Sequence, residues 1–138
     1  MKIKLIKILG QFHIKAANFR SSAKDMWTER IALWPTLISG LFVLLAWLGA
    51  FLIVRTVGDN LAILHYNVIF GVDLIGDIRR VLFMPAFGSL VFCLNLFLAI
   101  ALFGKKDKLA ANLLMYGSLA VNVLTFMGLY FLYMINLS

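Results

Sequence analysis

The chain has one cysteine, two histidines, two prolines and six acidic residues in 138 positions. A lone cysteine, Cys93, cannot close an intrachain disulfide, and a thiol inside an apolar run acts as a small packing group. His13 and His65 are the two histidines. No spacing of His, Cys and carboxylate resembles a zinc site. There is no nucleophile elbow, no paired-carboxylate motif and no glycine-rich phosphate cradle. No Asp, Glu, Lys or Arg stands centrally in any long apolar run, which removes the groups that proton relays and ion pumps typically need. The basic start of the chain is broken by lysines every two or three residues. It therefore lacks the apolar stretch of about 7–15 residues that a signal peptide requires.

What the chain has is hydrocarbon. Hydrophobic residues make up 63% of it and charged residues 14%, with a mean hydropathy of +0.97. Soluble domains are about 45–50% apolar and 25% charged. Three apolar runs, Ala32 to Val54, Val81 to Phe103 and Leu109 to Ile135, each reach the ~20 residues that a helix needs to cross a bilayer. The pattern predicts an all-α membrane protein with three transmembrane helices and an N-terminal amphipathic interfacial helix. Residues 1–31 form a basic arm and 32–138 the membrane domain, with an outer loop over 55–80.

The net charge of +7 is distributed unevenly. Lys2, Lys4, Lys7, Lys15, Arg20, Lys24 and Arg30 precede the first run, and Lys105, Lys106 and Lys108 follow the second. Arg55, Arg79 and Arg80 lie between the first two. Short loops rich in Lys and Arg stay cytoplasmic, so the N-terminus is expected inside and the C-terminus outside. Topology and attraction to anionic lipid headgroups at the arm account for the basic excess. With no accompanying motif, nucleic acid is not an expected partner.

Along the arm, Lys4, Lys7, Gln11, Lys15, Asn18 and Ser22 recur at helical spacing opposite Leu5, Ile8, Leu9, Phe12, Ala16 and Phe19. This predicts a surface helix ending at Ser21–Ser22. The first span is expected to begin near Trp34–Pro35, with the proline in its first turn. Pro85 either kinks the second span or starts it. Gly104 to Lys108 reads as a tight turn that makes the last two spans an antiparallel hairpin.

Residues 55–80 are too apolar for a solvated loop and too interrupted for a span. They carry the densest polar group outside the arm: His65, Tyr66, Asn67, Asp73 and Asp77. A catalytic reading makes His65 a general base oriented by Asp73. The plainer reading, that these side chains bond the loop's own backbone or meet a protein partner, weighs more. Asp77 suits the cap of a helix that continues through Arg79 and Arg80. Within the spans, Asn95, Gly117, Ala120, Asn122 and Gly128 are the helix-packing candidates. Small residues allow close approach, and buried amides pair across helices. For Asn95 and Asn122 the alternative is a polar pathway through the bundle.

The run His65-Tyr66-Asn67-Val68-Ile69-Phe70-Gly71-Val72-Asp73-Leu74-Ile75-Gly76, followed by a span containing Asn95, resembles a family of short uncharacterised bacterial membrane proteins. These carry an LHYNxxFGxDxIG stretch between their first two helices and are associated with ultrasmall, reduced-genome bacteria of the candidate-phyla kind. Where family patterns often carry an aromatic pair after the second glycine, Ile78-Arg79-Arg80 stands here. The resemblance implies a location in the bacterial cytoplasmic (inner) membrane and brings no activity with it. The expectation is a non-catalytic subunit or scaffold of a membrane assembly, needing no cofactor or metal. Its partners are the bilayer, other membrane proteins or further copies of itself. A homo-oligomeric transport or channel component is the alternative, and an integral-membrane enzyme ranks last.

Overall fold

A computed structural model describes residues 16–58, 61–67, 69 and 71–137. Helix α1 covers residues 16–28, and α2 runs over Arg30–Val57. Strands β1 (Leu61–Asn67) and β2 (Gly71–Asp77) follow, then a 3-10 segment, Ile78–Leu82. Helix α3 spans Phe83–Gly104 and α4 Lys108–Leu137. Three helical stretches, Arg30–Val57, Ile78–Gly104 and Lys108–Asn136, are long and apolar enough to cross a membrane. The periodicity expected over residues 2–15 lies outside the described residues.

Two expectations need correction. The helix does not stop at Ser21–Ser22. The Ser22 hydroxyl instead donates to the Asn18 carbonyl one turn back, 2.8 Å away, a bond that satisfies the hydroxyl without ending the helix. The break comes at Glu29, which is extended at φ −86° and ψ 111°. Helix α2 starts directly after it, so Pro35 lies inside α2 rather than in its first turn.

The described residues are mainly helical, with one short exception outside the three long helices. The connection after α2 is an antiparallel β-hairpin. Its strands hold Ile63, Tyr66, Val72 and Ile75, residue types that favour extended backbone. The register skips Leu64 on β1 and Asp73 on β2, a local irregularity of the kind that redirects side chains. Leu64 packs against the apolar cluster of Ile53, Ile78, Val81 and Leu129.

Asp77 ends β2 and caps the 3-10 segment, its Oδ1 accepting the Arg79 backbone N–H at 2.8 Å. The Phe83 N–H is shared between the Arg80 and Val81 carbonyls where 3-10 becomes α. Pro85 then falls in the first turn of α3, where its missing N–H interrupts no bond within that helix. Of the two sequence alternatives for Pro85, the helix start is the one found.

The α3–α4 connection is a Schellman turn. The Lys106 N–H donates to the Phe103 carbonyl at 2.9 Å and the Asp107 N–H to Leu102 at 3.0 Å. Lys106 occupies the left-handed position at φ 64°, where glycine is usual. Asp107 then caps α4 through the Ala110 N–H at 3.1 Å.

Helix α4 packs along both α2 and α3, which touch each other far less. The interior falls into three levels. Toward the α1 end, Met26, Ala32, Ala99, Ile100, Phe103, Ala111 and Met115 form one apolar cluster. Toward the hairpin, Ala46, Ala50, Ile53, Ile78, Val81 and Leu129 form another. Between them lie buried polar residues.

Candidate functional site

The polar level joins α2 to α4. The Ser39 and Ser118 hydroxyls are 3.2 Å apart. The Asn122 amide nitrogen donates to Ser39 Oγ at 3.1 Å and to the Ser118 carbonyl at 2.9 Å. Ser39, Ser118 and Asn122 are all fully buried. Asn122 Oδ1 has no hydrogen-bond partner among the described residues. It faces Gly88 of α3, where an added Cβ would stand 2.6 Å from it. A glycine is therefore what lets α3 close over the amide. A second polar link runs between α2 and α3, where the Trp47 indole donates to Ser89 Oγ at 2.9 Å. Ser89 in turn donates to the Pro85 carbonyl at 2.7 Å. Both links are helix cross-bonds of the kind worth about 0.6 kcal/mol on average in membranes.

At the hairpin end, the Asn136 side chain of α4 bonds to the backbone of β1. Asn136 Oδ1 accepts the Ile63 N–H at 2.9 Å, and its Nδ2 donates to the Ile63 carbonyl, also at 2.9 Å. The amide thus imitates the backbone of a neighbouring strand. The same Nδ2 also reaches the Leu132 carbonyl at 2.9 Å, within its own helix. A buried or half-buried peptide group without such a partner is costly.

The sequence candidates separate in space. His65 and Asp77 carry exposed side chains on β1 and β2. The backbones of Tyr66, Asn67 and Asp73 belong to the same hairpin, with Tyr66 opposite Val72 and Asn67 opposite Gly71; their side chains lie outside the description. Among the helix candidates, Asn122 is buried as above, and Gly128 meets Met84, whose Cε would lie 2.9 Å from an added Cβ. Gly117 and Ala120 are exposed on the outward side of α4, and a Cβ at Gly117 would meet nothing within 4 Å. Asn95 is half-buried and makes no side-chain hydrogen bond among the described residues. Asn95 and Asn122 share no hydrogen bond among the described residues. No group of three or more His, Cys, Asp or Glu side chains that could hold a metal occurs among the described residues.

Four polar residues that sequence reasoning did not rank carry these links: Ser39, Ser118, Ser89 and Asn136. The first three were legible only as small residues within spans. Asn136 stood at the end of a span, where a polar residue is ordinary. Their partners lie between 42 and 83 residues away for the helix links, and 73 away for the hairpin. No family model, curated protein or solved structure matches the chain.

Proposed function

We propose that this chain is a non-catalytic subunit or scaffold of a larger assembly in the bacterial inner membrane, with its N-terminus cytoplasmic and its C-terminus outside. The observation that carries the reading is the division of labour within the spans. The central polar groups Ser39, Ser118 and Asn122 are engaged with one another between two apolar clusters. A single copy therefore has apolar packing, rather than an aqueous path, above and below its polar level. Meanwhile the outward side of α4, with Gly117 and Ala120, is left exposed among the described residues. Small residues on an exposed helix side allow another helix close approach, and the β-hairpin offers His65 and Asp77 at the same end as the C-terminus of α4.

The test is extraction of the tagged full chain from its membrane in mild detergent, followed by particle mass and composition. A particle containing other polypeptides is expected, and Gly117→Phe should reduce their recovery without altering the chain's own unfolding midpoint. A particle made only of copies of this chain would favour the homo-oligomeric alternative. A monodisperse single chain would overturn both.

A further inference from the structure

Helices α2 and α3 touch little, and a groove of about 730 Å³ runs between them, walled by Leu37, Leu41 and Leu44 of α2 and by Phe92 and Leu96 of α3. Gly40 keeps the wall low: an added Cβ there would stand 3.6 Å from the Phe92 ring, so a longer side chain would enter the groove. From Thr36 to Leu44 it follows α2 for about 12 Å, at 1.5 Å per residue. Just beyond Leu44, the Trp47–Ser89 bond joins the two helices and closes that end. Trp27 of α1 stands at the other end, as its mouth.

Trp27 belongs to a stripe. Arg20, Lys24 and Trp27 recur at spacings of four and three along α1, which places them on one side of the helix. Arg20 and Lys24 are exposed and line one hollow along α1. Neither has an ion pair among the described residues. The acidic residues at this end are engaged elsewhere or turned away. Glu29 pairs with Lys108 and Asp107 caps α4. Asp25 directly follows Lys24, so it lies about 100° further round the helix, away from Arg20.

We infer that stripe and groove together hold one anionic phospholipid, its phosphate at Arg20 and Lys24 and one acyl chain along Leu37, Leu41, Leu44 and Phe92. An unfilled groove between two helices forfeits contact on both walls, and a flexible hydrocarbon chain restores it. A spanning helix is the wrong occupant, because it needs about 30 Å of open face and the groove is closed at Trp47 after less than half of that. The Trp27 indole marks the boundary between tail and headgroup, where such rings partition. Beyond it, a guanidinium and an ammonium present paired donors to phosphate oxygens. Two cations without a facing carboxylate favour a net negative headgroup over a zwitterionic one. The inference rests on α2 and α3 lying in a bilayer, and it needs neither a partner polypeptide nor a role in an assembly.

The test places the full chain in phosphatidylcholine bilayers containing a small equal fraction of phosphatidylglycerol or phosphatidylcholine that carries a photoactivatable diazirine on one acyl chain. Adducts are mapped by mass spectrometry. Residues 36–44 and 89–96 are expected to carry roughly tenfold more adduct from the anionic lipid, the scale of a cationic pair at a lipid surface. Arg20→Gln with Lys24→Gln should bring the two lipids to parity. Lys105→Gln with Lys106→Gln, which removes the same charge from the same end of the bundle, should leave the preference intact. Gly40→Leu should fill the groove and lower the adducts of both lipids there. Equal labelling by the two lipids in the parent overturns the proposal without any substitution, so a folding defect in a variant does not shield it. A preference that survives the Arg20 and Lys24 changes overturns it, as does one lost equally with Lys105 and Lys106, which would be a property of overall surface charge. Loss of the preference on adding inorganic phosphate overturns it in favour of a free anion.

Discussion

The two ends of the bundle are closed by different physics. At one end, helix α1 lies against the α3–α4 turn through side-chain packing. Met26 is fully buried among Ala99, Ala111 and Met115, and Phe19 meets Phe97 at 5.3 Å between ring centroids. Ser22 sits where Gly104 has no Cβ, 2.7 Å from the position one would take. An ion pair between Glu29 and Lys108 completes the contact at the surface. At the other end, the hairpin is held by the Leu64 contact and by one amide, Asn136, bonded to both polar groups of Ile63. Packing spreads its free energy over many weak contacts and resists any single change. A backbone-mimicking hydrogen bond concentrates it in one residue that either is present or is not.

That contrast sets out what to break. The largest effect is expected from Met26→Ala, which should lower stability by about 2–5 kcal/mol through the cavity it leaves, read as a shifted midpoint in a denaturing-detergent titration. Gly88→Ala, between the two ends, should cost about 1–3 kcal/mol by overpacking against Asn122. Ser39→Ala added to it should recover part of that loss, because the amide is then free to turn away from α3. Asn136→Ala should leave the global midpoint almost unmoved. Its cost of about 1–3 kcal/mol for unpartnered peptide groups should instead appear as faster amide exchange at Ile63 and along β1. If Asn136→Ala instead unfolds the whole chain with a single shifted midpoint, the two ends are not independent and the contrast fails. The smallest effects belong to the charged turn. Lys106→Gly should raise stability by up to about 1 kcal/mol by relieving left-handed backbone. Glu29→Gln should cost less than about 1 kcal/mol, since its ion pair is exposed, and the loss should vanish at high salt.

The same contrast separates what could be read from the residues from what could not. The spans were legible because lipid imposes one rule on every turn of a helix, and the observed helices exceed the expected runs by only a few residues at most ends. The Gly104–Lys108 turn was legible because its residues interact with near neighbours. The hairpin was not. Its strands, Leu61–Asn67 and Gly71–Asp77, are apolar on both sides of His65, so strict alternation is missing. One of its strands is docked by an asparagine 73 residues further along the chain. The Asn122 junction was half legible: the amide's need for partners follows from its place in a span, but Ser39 and Gly88 become its neighbours only once three helices are assembled. Gly117 and Ala120 show the same limit from the other side. Spacing puts them on one side of α4 without saying which way that side faces.

Because α4 is the helix on which the other two lean, the order of synthesis runs against the order of contact. The ribosome delivers α2 first, and the Ser118 and Asn122 groups that engage Ser39 arrive 79 and 83 residues later. Until then the Trp47–Ser89 bond is the described hydrogen bond open to the chain's first two long helices. Such distant pairings are slow to form, so the nascent protein passes through an interval in which its first two spans await the third as their keystone.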